Sequence, residues 1–110
     1  MRYFDTIFLE EAHDFIGKLN PKTRIKILYN IDRAAQCNDA TLFKKLSSEI
    51  WEFRTLHAGI QIRLLAFWDN SKKNKTLVVA THGFVKKVDK VPNREIERAI
   101  IARKEYFLNQ

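Results

Sequence analysis

The stretch IWEFRTLHAGIQIRLLAFW, residues 50–68, decides the fold. Apolar and polar residues alternate on both sides of His57-Ala58-Gly59, the period of a strand on either side of a turn. A two-residue turn at Ala58-Gly59 fixes which residues meet. It sets Trp51 opposite Ala66, Phe53 opposite Leu64 and Thr55 opposite Ile62, giving one apolar face. Slipping by one residue would put Arg63 beside Trp51 and Phe53 on that buried face, so the first register is preferred. The same register sets Arg54 opposite Arg63 on the other face, with Glu52 beside them.

Working outward, Thr76–Thr81 (TLVVAT) reads as a near-continuous apolar strand covered on both faces and ended by His82-Gly83. Residues 69–75 form a polar turn before it, and Leu42, Phe43 and Leu46 belong to a connector ahead of the hairpin. Near the N-terminus, Arg2 to Leu9 reads as a short strand. Ala12, Phe15, Ile16 and Leu19 then make the apolar stripe of a short helix, with Glu10 and Glu11 at its positive end. Asn20 as N-cap and Pro21 in the first turn start a second helix to about Ala35, with Ile27, Leu28, Ile31 and Ala35 inward. Pro92 opens a last helix carrying Ile96, Ala99, Ile100 and Phe107. The order β-α-α-β-β-β-α describes one α+β domain over residues 1–110. Its sheet is mostly antiparallel, with an N-terminal helical hairpin on one face and a C-terminal helix.

With 110 residues, 45% apolar and 12% aromatic, the chain is long and apolar enough for a core, which excludes disorder. One cysteine, Cys37, excludes an internal disulfide framework and suits a reducing cytosol. No apolar run approaches signal-peptide or membrane-span length, so a cytoplasmic location without membrane association is expected. Residues 1–40 hold six basic and six acidic side chains, so the net charge of +7 lies wholly in residues 41–110. Such asymmetry points to nucleic acid, an anionic surface or an acidic protein as partner.

The opposed Arg54 and Arg63 admit two readings. Like charges across a ladder repel, which a hydrated face with splayed arginines tolerates, Glu52 partly neutralising them. Alternatively the two guanidinium forks clamp a phosphate. On the clamp reading, losing either arginine should hardly harm folding. Lys44-Lys45 before the hairpin, and Lys86-Lys87 and Lys90 after the last strand, can reach the same face or simply sit in solvent. Lys72, Lys73 and Lys75 solubilise a turn. His13 and His57 read as surface residues; His82 is either an acid–base group or a packed imidazole. No HxH, HExxH or CxxC spacing occurs, nor a triad, Walker loop or dinucleotide fingerprint, so neither metal nor cofactor is expected. Cys37, without a flanking base, reads as inert.

Lys45-Leu46, Ile50-Trp51-Glu52-Phe53-Arg54, Gly59, Arg63 and His82-Gly83-Phe84-Val85-Lys86-Lys87 with Pro92 together resemble the RelE/HigB toxin superfamily. Within it they are most similar to the phage-derived HigB-like branch. The resemblance implies the toxin of a type II toxin–antitoxin pair. Its activity would be ribosome-dependent, metal-independent cleavage of messenger RNA by a ribose 2′-hydroxyl attacking the adjacent phosphate. It implies that Arg54 and Arg63 hold that phosphate, and that Lys87, or Lys86, stabilises charge or assists proton transfer. Glu52 would be an acid–base group or an orienter of Arg54, His82 a second proton-transfer group, and Lys45 an RNA contact. The implied partners are a helix-turn-helix antitoxin, the ribosome with its message, and promoter DNA through the antitoxin complex alone. A relative of ParE type shares the fold yet poisons DNA gyrase without cutting RNA, and a non-catalytic RNA-binding module is a third outcome. Val91 stands where a hydroxyl cap before Pro92 would be worth roughly 1 kcal/mol to the last helix.

Overall fold

In the computed structural model, which describes residues 2–73 and 76–110, Ala58 and Gly59 both take positive φ, 52° and 77°. That backbone matches the twist of two flanking strands. It joins β3 (Ile50–His57) to β4 (Ile60–Asp69) in the register read from the alternation: Trp51 to Ala66, Phe53 to Leu64, Arg54 to Arg63, Thr55 to Ile62. The remaining elements are β1 (Asp5–Phe8), α1 (Glu10–Gly17), α2 (Pro21–Gln36), β2 (Phe43–Ser47), β5 (Leu77–Val85) and α3 (Asn93–Leu108). One five-stranded sheet runs in the order β1-β5-β4-β3-β2. Only β1 and β5 are parallel; every other neighbour is antiparallel.

Directly paired residues share a face of the sheet. Phe53, Ile62, Leu64, Ala66, Val78 and Ala80 therefore point together toward α1 and α2, whose Ala12, Ile16, Ile27 and Ile31 complete one core. Ile50, Leu65, Phe67 and Val79 point the other way and meet Ala99, Ile96, Ile100 and Phe107 of α3 in a second core. The α2 helix starts as its sequence dictates, with the Asn20 side chain accepting the Thr23 amide at 2.9 Å and Pro21 in the first turn.

Four local expectations are revised. The connector before the hairpin contains a strand, β2, held by Phe43 stacked on Phe53 with ring centroids 4.3 Å apart. The adjacent lysines Lys44-Lys45 had masked its alternation. Leu28 faces outward, because the buried side of α2 is formed by Thr23, Ile27, Asn30, Ile31, Ala34 and Ala35. His82-Gly83 does not end the last strand: Leu65 pairs with His82 and Ala66 with Ala80, so Thr81 is an extra residue and β5 runs on to Val85. The N-cap of α3 falls on Pro92 rather than Val91, and Val91 packs on the second core. Of the polar turn at 69–75, Asn74 and Lys75 lie outside the described residues.

Gly83 matters to this packing. A Cβ there would come within 2.3 Å of the Phe15 ring, so the glycine lets α1 lie close on β5.

Candidate functional site

The face bearing the arginines is not the hydrated one that alternation suggests. Arg63 is only 2% exposed, and Glu52, diagonal to it, lies between the two guanidinium groups. The Glu52 carboxylate is 2.9 Å from Arg63 Nε and 4.0 Å from Arg54 Nε. The opposed like charges are thus reconciled by a buried counter-ion. Arg63 also donates to the Ile62 carbonyl and to Gln61 Oε1, each at 3.1 Å. Burial pulls the Arg63 guanidinium below its ordinary pKa, and the nearby Glu52 opposes that shift. Removing Arg63 would strand a buried carboxylate, so the expectation that folding hardly suffers does not hold for it.

Arg54 differs. Its side chain is 33% exposed, and its Nε is buried without a hydrogen-bond partner among the described residues. It lines a groove of about 430 Å³ at the sheet edge, beyond the end of β2, where Arg54 N donates to the Leu42 carbonyl. Lys26 and Asn30 of α2 line the same groove, with Gln61 and Arg63. Asn30 is fixed by its amide donating to Thr55 Oγ1 at 3.2 Å. Gln61 is also a wall of a second cleft, of about 260 Å³, with Lys86, Lys87 and Asp89, and its carbonyl accepts the Lys86 amide at 2.8 Å. Lys26, Arg54, Arg63, Gln61, Lys86 and Lys87 therefore form one continuous, mainly basic surface.

Other candidate residues lie apart. Lys44 pairs with Glu52 and shares its face, whereas Lys45 pairs with Trp51 and points to the opposite face. Neither lines either cleft, nor does the exposed Lys90. His82 is 3% exposed and lines neither cleft. Its Nδ1 is 2.9 Å from Thr81 Oγ1 and its Nε2 is 3.0 Å from Glu95 Oε1. Glu95 in turn accepts from Arg98, which reaches Glu11 of α1. Burial first, then the Arg98 charge, lowers the His82 pKa below its usual 6.5, leaving a neutral imidazole that ties α3 to β5.

Gln61, Lys26 and Asn30 were not singled out from the sequence. Gln61 follows from the hairpin register, two residues before Arg63 on the same face. Asn30 carried a signal too, as an amide within the apolar stripe of α2. A larger cleft, about 630 Å³, opens between the start of α1 and the end of α3, but Glu10, Glu11 and Glu105 line it and would repel phosphate. Among the described residues no group of three or more His, Cys, Asp or Glu is placed to hold a metal ion. None of their helices is long and apolar enough to cross a membrane.

A mostly antiparallel five-stranded sheet, two N-terminal helices and a C-terminal helix fit the RelE-like fold. The chain belongs to the family described as Phage derived protein Gp49-like (DUF891), whose model matches residues 14–104. That is a family of RelE-like toxins, which places the protein in a toxin–antitoxin context. No curated protein matches the chain.

Proposed function

We propose that the protein is a HigB-like toxin of a type II pair that cleaves messenger RNA on the ribosome, without metal or other cofactor. The observation that carries this reading is the partly exposed Arg54 side chain in a groove that Arg63, itself held by Glu52, also lines. The scissile phosphate lies against Arg54. Charge developing on its oxygens as the 2′-hydroxyl attacks meets a cation held in place before the reaction, which is where such charge is stabilised most strongly. Arg63 acts as a positioning residue: its guanidinium is engaged by Glu52, Gln61 and the Ile62 carbonyl, and it supports Arg54 through Glu52. Lys87, or Lys86 before it, sits across Gln61 from the arginines and supplies charge and a proton to the departing 5′ oxygen. The 2′-hydroxyl gives its proton to solvent water as its oxygen closes on phosphorus, the bond to the 5′ oxygen breaks as that oxygen takes the lysine's proton, and the products are a cyclic phosphate and a 5′-hydroxyl. Glu52 orients the arginines, and His82 holds α3.

A helix-turn-helix antitoxin with an acidic surface would silence this basic face, and promoter DNA would be bound only through that complex. The test is incubation of the purified chain with programmed ribosomes, followed by mapping of message ends. Cuts within the message bearing cyclic phosphate and 5′-hydroxyl ends are expected. Intact message, together with loss of DNA synthesis before protein synthesis on induction, would overturn the reading in favour of a gyrase poison.

A further inference from the structure

Lys22, Lys26, Tyr29 and Arg33 recur at i, i+4, i+7 and i+11, which sets them in one line along α2. The line serves no core, since the buried side of the helix is formed by Thr23, Ile27, Asn30, Ile31 and Ala34. Tyr29 is 53% exposed between two cations, with the Lys26 ammonium 5.6 Å and the Arg33 guanidinium 6.0 Å from its ring centre. The one acidic residue of α2, Asp32, is turned away to Arg2 and Gln36. Lys26 both touches this ring and lines the Arg54 groove, so a strand leaving the groove along α2 meets Tyr29 next. Cations that track a backbone, beside an exposed aromatic ring on which a base can stack by displacing a mobile surface cation, are the means by which proteins hold single-stranded nucleic acid.

We propose that this edge of α2 is a second RNA subsite, Lys26 holding a backbone phosphate and Tyr29 stacking a base of the strand in the Arg54 groove. The inference rests on the endonuclease reading and extends it to a helix within residues 1–40, which carry no net charge. The run of cations favours RNA over a protein partner, which would use the exposed Ile25 one turn before Tyr29 and is the other outcome of the test.

The probe is a fluorescein-labelled, single-stranded 2′-O-methyl RNA, with binding to the full chain read by anisotropy over a range of salt. Tyr29→Ala should weaken binding about 5- to 150-fold, the range for loss of one stacked base. Tyr29→Phe should retain it. Lys26→Ala should lower the slope of log affinity against log salt by about 0.7, one phosphate contact on a single strand. Ile25→Ala should change neither. Wild-type binding that Tyr29→Ala and Lys26→Ala leave unaltered refutes the subsite, as does failure of the wild type to bind. RNA binding unchanged in variants that no longer hold the antitoxin would make the stripe a protein-docking face and equally overturn the proposal. Tight, Tyr29-dependent binding by a chain that cuts no message on ribosomes would remove the endonuclease reading and leave the subsite standing.

Discussion

Arg54 and Arg63 face each other across the hairpin, yet replacing each by alanine should have opposite kinds of effect. Arg63 is buried with its Nε 2.9 Å from a carboxylate that is itself buried. Arg63→Ala leaves Glu52 charged and without that partner, a loss that typically costs about 3–5 kcal/mol. An unfolding entropy near 2.1 cal/mol/K per residue converts each kcal/mol into about 4 °C for a chain this long, so Tm should drop by roughly 13–22 °C. Arg54 is partly exposed and only 4.0 Å from the same carboxylate, so Arg54→Ala should change stability by about 1 kcal/mol or less. Its loss should instead lower cleavage on programmed ribosomes by about 10²–10³-fold, the effect of removing one preorganised donor to developing charge. Thermal unfolding beside single-turnover cleavage separates the two. The double variant Glu52→Gln/Arg63→Met should recover much of the lost Tm, because it removes both buried charges. If Arg63→Ala melts like the wild type, the buried ion pair contributes little and the positioning role given to Arg63 is wrong. If Arg54→Ala cuts as fast as the wild type, the phosphate lies elsewhere.

His82 has a folded pKa below its ordinary 6.5, so as pH falls below that value the unfolded chain takes up a proton that the folded chain resists. Stability should be unaffected by this group above pH 6.5 and decline as pH falls toward the folded pKa, and His82→Gln should flatten Tm between pH 7.5 and 5; an identical slope in the variant would clear His82 of the effect. Gly83→Ala would drive a methyl group to 2.3 Å from the Phe15 ring and 2.7 Å from Leu64, and should cost roughly 1–3 kcal/mol as overpacking does. Trimming the ring in Gly83→Ala/Phe15→Leu should return part of that stability in denaturant titrations, and no recovery would mean that the strain lies in the backbone of β5.

The hairpin register was legible because its period is two and only one phase keeps arginine off the apolar face. The helix starts were legible because Asn20-Pro21 and Pro92 are chemical signals local to the chain. What crosses a strand's polar face is not local. Nothing in Trp51-Glu52-Phe53-Arg54 says that its polar face is closed enough to bury Arg63 and Glu52, and so the hydrated face stood as one of two open readings. The His82–Glu95 contact likewise joins a strand to a helix through three-dimensional packing. Lys44 and Lys45 looked equivalent as a basic pair, but β2 sends neighbours to opposite faces, which requires knowing that a strand is there. Lys26 was hidden differently, its charge cancelled in the count for residues 1–40 by acids that lie elsewhere in the fold.

The extra residue at Thr81 gives β5 two phases. Before it, even-numbered residues such as Val78 and Ala80 look toward α1 and α2; after it, His82 and Phe84 look toward α3. Were Thr81 instead to take a place in the ladder opposite Leu65, every residue downstream would change sides. His82 would fall where Gly83 now leaves room for the Phe15 ring, and Lys86 would move to the far side from Arg63. The bulge thus outweighs most single side chains here, because holding Thr81 out of the ladder decides which side of the sheet the basic segment belongs to.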